Sequence, residues 1–240
     1  MQPLKFLTVA APQRHTATVI FVHGLGDTGY GWEPVAEMFK SELPHVKWIL
    51  PHAPVQPVTG NGGMRMPSWF DIADFTFDPA RKPVEDEKGM LETVDALNKL
   101  ITAEVDAGIP ADHIVLGGFS QGGAMTLLTG LTTERRLAGL AVLSGWTPIT
   151  SKLKMMVNRH ATSLSIFWGH GEADPLVRFV FARRSLEFLK TELRMAPASD
   201  SPDELKGIDF HSYTGVGHST SPHELDDLKN WLKRVIPMAL

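Results

Sequence analysis

The sequence predicts an α/β fold built on a mostly parallel central sheet with helices on both faces. Three observations carry that reading. Short, β-branched apolar runs recur along the 240 residues. Several are apolar almost without interruption, as strands covered on both faces are. Helical patterns separate most of them, as crossover connections require.

Taken in order, a short run at 4–9 predicts an edge strand. Further strands are predicted at 18–22, 46–50, 114–116, 140–143, 164–168 and 208–213. Residues 51–81 read as one long loop carrying Met64, Met66, Trp69, Phe70, Ile72, Phe75 and Phe77. A structureless loop of that length is functional or disordered, and so many apolar side chains argue against disorder. Leu91, Val94, Leu97, Ile101 and Val105 fall on one face of a helix that Gly108 and Pro110 stop. Residues 195–207 are polar and contain proline, and they predict an exposed insertion. Near the C-terminus, Ser221-Pro222-His223-Glu224 reads as a capping box with proline at the first helical position. Leu225, Leu228, Leu232 and Val235 follow as the buried stripe. The expected organisation is a single domain over residues 1–240.

Composition removes several classes of function. The net charge of −4 has mixed signs and forms no basic footprint, so nucleic acid is not an expected partner. The chain has no cysteine, which excludes disulfides, zinc–thiolate sites, a cysteine nucleophile and S-palmitoylation of the chain itself. The first residues lack a signal-peptide apolar core, and no apolar run approaches a membrane span. A cytoplasmic setting, with nuclear access open, is the expectation.

The chemistry is concentrated at Gly118-Phe119-Ser120-Gln121-Gly122. An apolar strand leads in and a helical pattern leads out, so the serine stands at the apex of a sharp turn, in the G-x-S-x-G pattern of a nucleophile elbow. The pentapeptide alone is equally a glycine-rich turn with an inert serine. What decides is whether the chain also supplies a base and an acid, because a serine hydroxyl is a poor nucleophile without them. In this type of fold they follow in the order serine, acid, histidine, on loops at strand ends. Asp174 follows the 164–168 strand, with Glu172 as a weaker rival. His218, in Gly215-Val216-Gly217-His218-Ser219, lies between the last strand and the capped helix. His113 at a strand start, His160 far from a strand end and His223 inside the capping box fit less well.

Acyl transfer also needs donors for an oxyanion. The Gln121 N–H, directly after the serine, is one candidate. The Leu25 N–H, in the His23-Gly24-Leu25-Gly26-Asp27 loop after the 18–22 strand, is the other. Gly24-Leu25-Gly26-Asp27-Thr28-Gly29 also matches the dinucleotide fingerprint G-x-G-x-x-G. The acidic residue expected about twenty positions on is missing from Lys47-Trp48-Ile49-Leu50-Pro51-His52.

Together these motifs resemble the acyl-protein thioesterases and the small carboxylesterase/lysophospholipase group of α/β-hydrolases. The resemblance rests on the 23–29 segment with Trp32, on Pro67-Ser68-Trp69-Phe70-Asp71-Ile72, on Gly117 to Ala124, on Asp174-Pro175-Leu176-Val177 and on Gly217-His218-Ser219. It implies an α/β-hydrolase fold without a large lid domain, needing no metal or cofactor, with Ser120, Asp174 and His218 as its triad. It implies hydrolysis of thioesters on S-acylated proteins, or of lysophospholipids and small esters. It also implies an acyl channel formed by Trp69, Phe70, Ile72, Trp146 and Leu176. The implied protein is a monomer or weak homodimer that touches membrane surfaces transiently. Some family members carry an N-terminal cysteine that can be acylated; this chain has Gln2 there, which argues against lipid anchoring.

Overall fold

Seven strands form the central sheet of the computed structural model, which describes residues 3–76, 84–199 and 205–238. They are β1 (Phe6–Val9), β2 (Ala17–Val22), β3 (Val46–Pro51), β6 (Ile114–Phe119), β7 (Gly139–Leu143), β8 (Ser165–Gly171) and β9 (Gly207–Tyr213). The order across the sheet is β1-β3-β2-β6-β7-β8-β9. Only the β1–β3 pairing is antiparallel; the other five are parallel. The seven predicted strands all form, and the 4–9 run is the edge strand.

Because the strands are buried on both faces, successive side chains feed two cores. Ile20 and Val22 face one, with Leu97, Leu127, Leu153 and Leu189 of α2 (Glu87–Asp106), α3 (Gln121–Thr132), α4 (Thr150–Met156) and α5 (Phe179–Thr191). Val19 and Phe21 face the other, with Ala36 and Phe39 of α1 (Glu33–Phe39) and Leu228, Trp231 and Leu232 of α6 (Pro222–Val235). Among the described residues no helix is long and apolar enough to cross a membrane.

Three expectations are corrected. Residues 51–81 are not structureless: β4 (Val55–Val58) and β5 (Met64–Pro67) pair there as an antiparallel hairpin. Phe77 lies outside the described residues. The buried face of α2 is centred on Met90, Thr93, Leu97, Leu100, Ile101 and Glu104, while Leu91, Val94 and Val105 are half-buried. Apolar periodicity misses this rotation because two of the buried residues are polar and have partners. Thr93 Oγ1 donates to the Trp69 carbonyl, and Glu104 accepts from Thr18 Oγ1 at 2.7 Å and pairs with Lys47 at 2.6 Å. Likewise α6 buries Trp231 and Glu224 beside Leu228 and Leu232. In the 195–207 segment the ends Met195 and Gly207 are buried, and Ala196 and Ala198 exchange backbone hydrogen bonds with Ile208 of β9. Residues 200–204 lie outside the described residues.

The sheet places the candidate site. From β2 the chain moves outward to β3, then returns across β2 to β6, so the strand order reverses between β2 and β6. Such a switch point opens a crevice at the C-terminal ends of the strands, where α/β sheets bind ligands. The Gly24–Leu25 loop leaves β2 there and Ser120 leaves β6 there.

Candidate active site

Ser120 has φ 55° and ψ −118°, a conformation that a residue with a side chain adopts only when its surroundings impose it. Those surroundings are explicit. The Ser120 N–H donates to the Leu143 carbonyl at 2.8 Å. A Cβ at Gly122 would lie 2.0 Å from the Val22 carbonyl oxygen, and one at Gly118 would lie 2.5 Å from the Gly122 backbone. Glycine on both sides lets α3 pack onto β2 and leaves the serine as the side chain that projects.

The candidate base and acid meet it from two other strand ends. Ser120 Oγ donates to His218 Nε2 at 2.8 Å, and His218 Nδ1 donates to Asp174 Oδ2 at 2.7 Å. Asp174 is buried, and its other oxygen accepts the N–H groups of Leu176 and Val177, each at 2.9 Å. A carboxylate held by three donors is fixed in both position and orientation. The His218 ring lies 4.8 Å from the Phe119 ring, which backs it. Glu172 does not join this line; its oxygens accept from Ser212 and Thr214 at 2.8 Å. His113, His160 and His223 are elsewhere, the last inside the observed capping box at Ser221 and Glu224.

The Gly24 loop passes directly beside the serine. A Cβ on Gly24 would lie 3.4 Å from Ser120 Cβ. Among the described residues, the N–H groups of Leu25 and Gln121 donate to no protein acceptor. Side chains that the sequence reading did not single out hold this loop. His23 is fully buried; the Ala53 N–H donates to its Nε2 at 3.1 Å, so its proton sits on Nδ1 and reaches the Gly24 carbonyl at 2.7 Å. Burial pushes its pKa down and keeps it neutral. The Gln121 side chain is equally occupied: Oε1 accepts the Trp69 N–H at 2.9 Å, and Nε2 donates to the Phe70 carbonyl at 2.8 Å. A lone histidine or glutamine in sequence carries no signal of such partners, which lie about 30 to 50 positions away.

A cavity of about 520 Å³ opens next to this line, a size in the range of small-ligand sites. Phe70, Ile72, Met90, Trp146, Phe181 and Phe188 supply apolar lining. Two contacts join it to the site. Phe70 accepts from Gln121 Nε2, and Val177, which also lines the cavity, donates its N–H to Asp174. Of the five aromatic and apolar residues expected in a channel, Phe70, Ile72 and Trp146 line this cavity. Trp69 and Leu176 do not. Trp69 is buried, with its indole N–H donating to the His23 carbonyl at 2.8 Å, and Leu176 is 54% exposed. Among the described residues no group of three or more histidine, aspartate or glutamate side chains converges to hold a metal ion.

The parallel sheet with its switch-point elbow, and the hydrogen-bonded Ser120, His218 and Asp174 at three strand ends, define a serine hydrolase of the α/β-hydrolase class. Comparison with known proteins narrows this. The chain belongs to the Phospholipase/Carboxylesterase family, whose model matches residues 5–236. It is 50% identical over 235 residues to acyl-protein thioesterase 1 of Cryptococcus neoformans, covering 97% of this chain and 98% of that one. Among solved structures it resembles Arabidopsis thaliana SOBER1, with 36% identity, a TM-score of 0.81, and coverage of 92% of this chain and 99% of that one. It also resembles Zea mays acyl-protein thioesterase 2, with 29% identity, a TM-score of 0.80, and coverage of 97% and 99%.

Proposed function

We propose that this serine hydrolase removes acyl groups from S-acylated proteins, with Ser120 as nucleophile, His218 as base, Asp174 as its orienting acid, and the Leu25 and Gln121 N–H groups as the oxyanion hole. The observation that carries the mechanism is the continuous hydrogen-bonded line from Ser120 Oγ to Asp174. The protein-thioester substrate class is supported by full-length similarity to acyl-protein thioesterases.

His218 takes the hydroxyl proton as Oγ bonds to the acyl carbon. The carbonyl oxygen becomes an oxyanion facing the two N–H groups, each such donor contributing roughly 3–4 kcal/mol to the transition state. His218 gives its proton to the departing sulfur as the C–S bond breaks. Water then attacks the acyl-serine, His218 takes a proton from it, and the proton returns to Ser120 Oγ as the acid is released. Asp174 keeps the His218 proton on Nδ1 and stabilises the imidazolium in both halves. The acyl chain lies in the cavity beside Val177 and Phe70. A second reading, hydrolysis of lysophospholipids or small esters, uses every one of these residues and is favoured by the family's description. We further place the enzyme in the cytoplasm, as a monomer or weak homodimer with transient contact at membrane surfaces.

Ser120→Ala is expected to lose p-nitrophenyl ester turnover and fluorophosphonate labelling with an unchanged melting temperature. Labelling of Ser144 in the native protein would move the nucleophile. Comparing kcat/KM on an S-palmitoylated peptide, lysophosphatidylcholine and a short aryl ester decides the substrate class, and the peptide is expected to lead.

A further inference from the structure

A second imidazole faces the carboxylate of Asp174, and the proposed mechanism leaves it unused. His170 is the penultimate residue of β8, fully buried and held in the sheet opposite Ser212 of β9. Its Nε2 lies 2.8 Å from the Val177 carbonyl oxygen. A carbonyl only accepts, so Nε2 carries a hydrogen. Its Nδ1 is buried and has no partner among the described residues. The same Nε2 lies 3.7 Å from Asp174 Oδ2, the oxygen that His218 binds. The titratable groups acting on the ring are Asp174 and His218, and the Phe179 ring packs 5.9 Å away.

Val177 is therefore gripped twice. Its N–H holds Asp174 Oδ1, and its carbonyl is held by His170. The turn that presents Asp174 is tied by one ring to a strand in the interior of the sheet. The ring's charge matters as much as its hydrogen bond. A positive His170 would compete with His218 for one carboxylate oxygen and weaken the support that Asp174 gives the imidazolium. Burial pushes the His170 pKa down and opposes that state.

We propose that His170 is a positioning residue for acyl transfer, holding the Val177 carbonyl to β8 as an uncharged ring and so fixing the Asp174 carboxylate against His218. This rests on the reading of Asp174 as the orienting acid. No residue of the family motifs quoted above identifies it, and its ring touches neither substrate nor Ser120 in the proposed cycle.

The test uses the full chain and p-nitrophenyl butyrate, with kcat and KM measured from pH 5 to 9 for His170→Phe, His170→Gln and Asp174→Asn. Small displacements of a catalytic group cost up to about 100-fold, so His170→Phe is expected to lose about 10- to 100-fold in kcat with little change in KM. Its acid limb should move to lower pH, because a displaced carboxylate stabilises the His218 imidazolium less. The glutamine variant keeps an N–H that reaches the Val177 carbonyl and should recover most of the rate. Native kcat with an unmoved acid limb in His170→Phe would overturn the proposal, as would equal losses in both variants with the limb unmoved. Should His170→Phe not fold, nitrogen NMR of the histidine-labelled native protein decides. A His170 ring protonated on Nε2 alone across the range supports the proposal, and one that takes a second proton above pH 6 overturns it. Native activity in Asp174→Asn would sink the acid assignment itself, a result distinct from either outcome at His170.

Discussion

Glu224 offers a perturbation whose size follows from the structure. It is the third residue of α6, wholly buried, with Oε2 accepting the Ser221 N–H in the capping box that ends the His218 loop. Its Oε1 has no partner among the described residues, and a Cβ on Gly169 of β8 would lie 2.3 Å from that oxygen. Burial first, and the negative charge of Asp227 second, push its pKa from 4.5 up to about 7, against the Ser221 hydrogen bond and the attraction of His211. The sign follows directly. Between those values the folded chain keeps a proton that the unfolded chain has released, so this group's contribution to stability falls as pH rises from 4.5 to about 7 and then levels off. A gap of that size corresponds to about 3 kcal/mol. Glu224→Gln keeps a side chain that can serve the capping box but removes the titration. Any cost of a buried, partly unpaired amide is the same at every pH. Thermal unfolding of both proteins from pH 5 to 8 isolates the difference. About 2.5 kcal/mol of that gap develops between pH 5 and 8, and with about 2–4 °C per kcal/mol for a chain of this size the variant should gain roughly 5–10 °C relative to the native protein across that range. Parallel curves for the two proteins would refute the reasoning.

Other expectations follow from the same geometry. Asp174→Asn should lower kcat by about 10⁴-fold, as loss of the orienting carboxylate does in serine hydrolases, while stopped-flow acylation still reports ordinary substrate binding. Gly122→Ala puts a Cβ 2.0 Å from a backbone oxygen of β2. Neither backbone yields cheaply there, so the variant should melt well below the native protein and lose the fluorophosphonate reaction with it. Ile72→Trp fills part of the cavity. Excluding about two methylenes costs about 1.6 kcal/mol, so kcat/KM for a long-chain aryl ester should fall roughly 15-fold while the acetate ester is little changed. Equal losses on both esters would remove the cavity from the acyl path.

Much of the sheet was legible because its strands are apolar on both faces and need no partner to be recognised. The elbow was legible for a related reason: glycines around a serine, between a strand and a helix, follow from backbone sterics within a few residues. Asp174 and His218 could be placed at strand ends, with Glu172 beside Asp174 as a weaker rival. Tertiary contacts separated the two acids, since Ser212 and Thr214 occupy Glu172 while Asp174 faces the ring. The aromatics were the least legible. Trp69 and Phe70 are adjacent and similar in sequence, but the indole N–H of Trp69 finds the His23 carbonyl and turns inward, whereas Phe70 lines the cavity. The phase of α2 slipped because Thr93 and Glu104, buried polar residues with distant partners, do not count in an apolar pattern, and the stripe read for α6 left out the buried Trp231 and Glu224.

The sequence by itself determined the α/β class, the seven strands of the central sheet in their order along the chain, the sharp turn at Ser120 and the serine–acid–histidine order of the candidate residues. All of these arise from short-range sterics and periodicity. Only the tertiary structure decided which side chains meet. Ser120 and His218 are 98 residues apart and His218 and Asp174 are 44 apart, and each pair closes to hydrogen-bond distance. Those approaches depend on the crossing of β2 by the chain and on the loops that leave β6, β8 and β9 meeting at one end of the parallel sheet. They are properties of the whole fold, which no local stretch encodes.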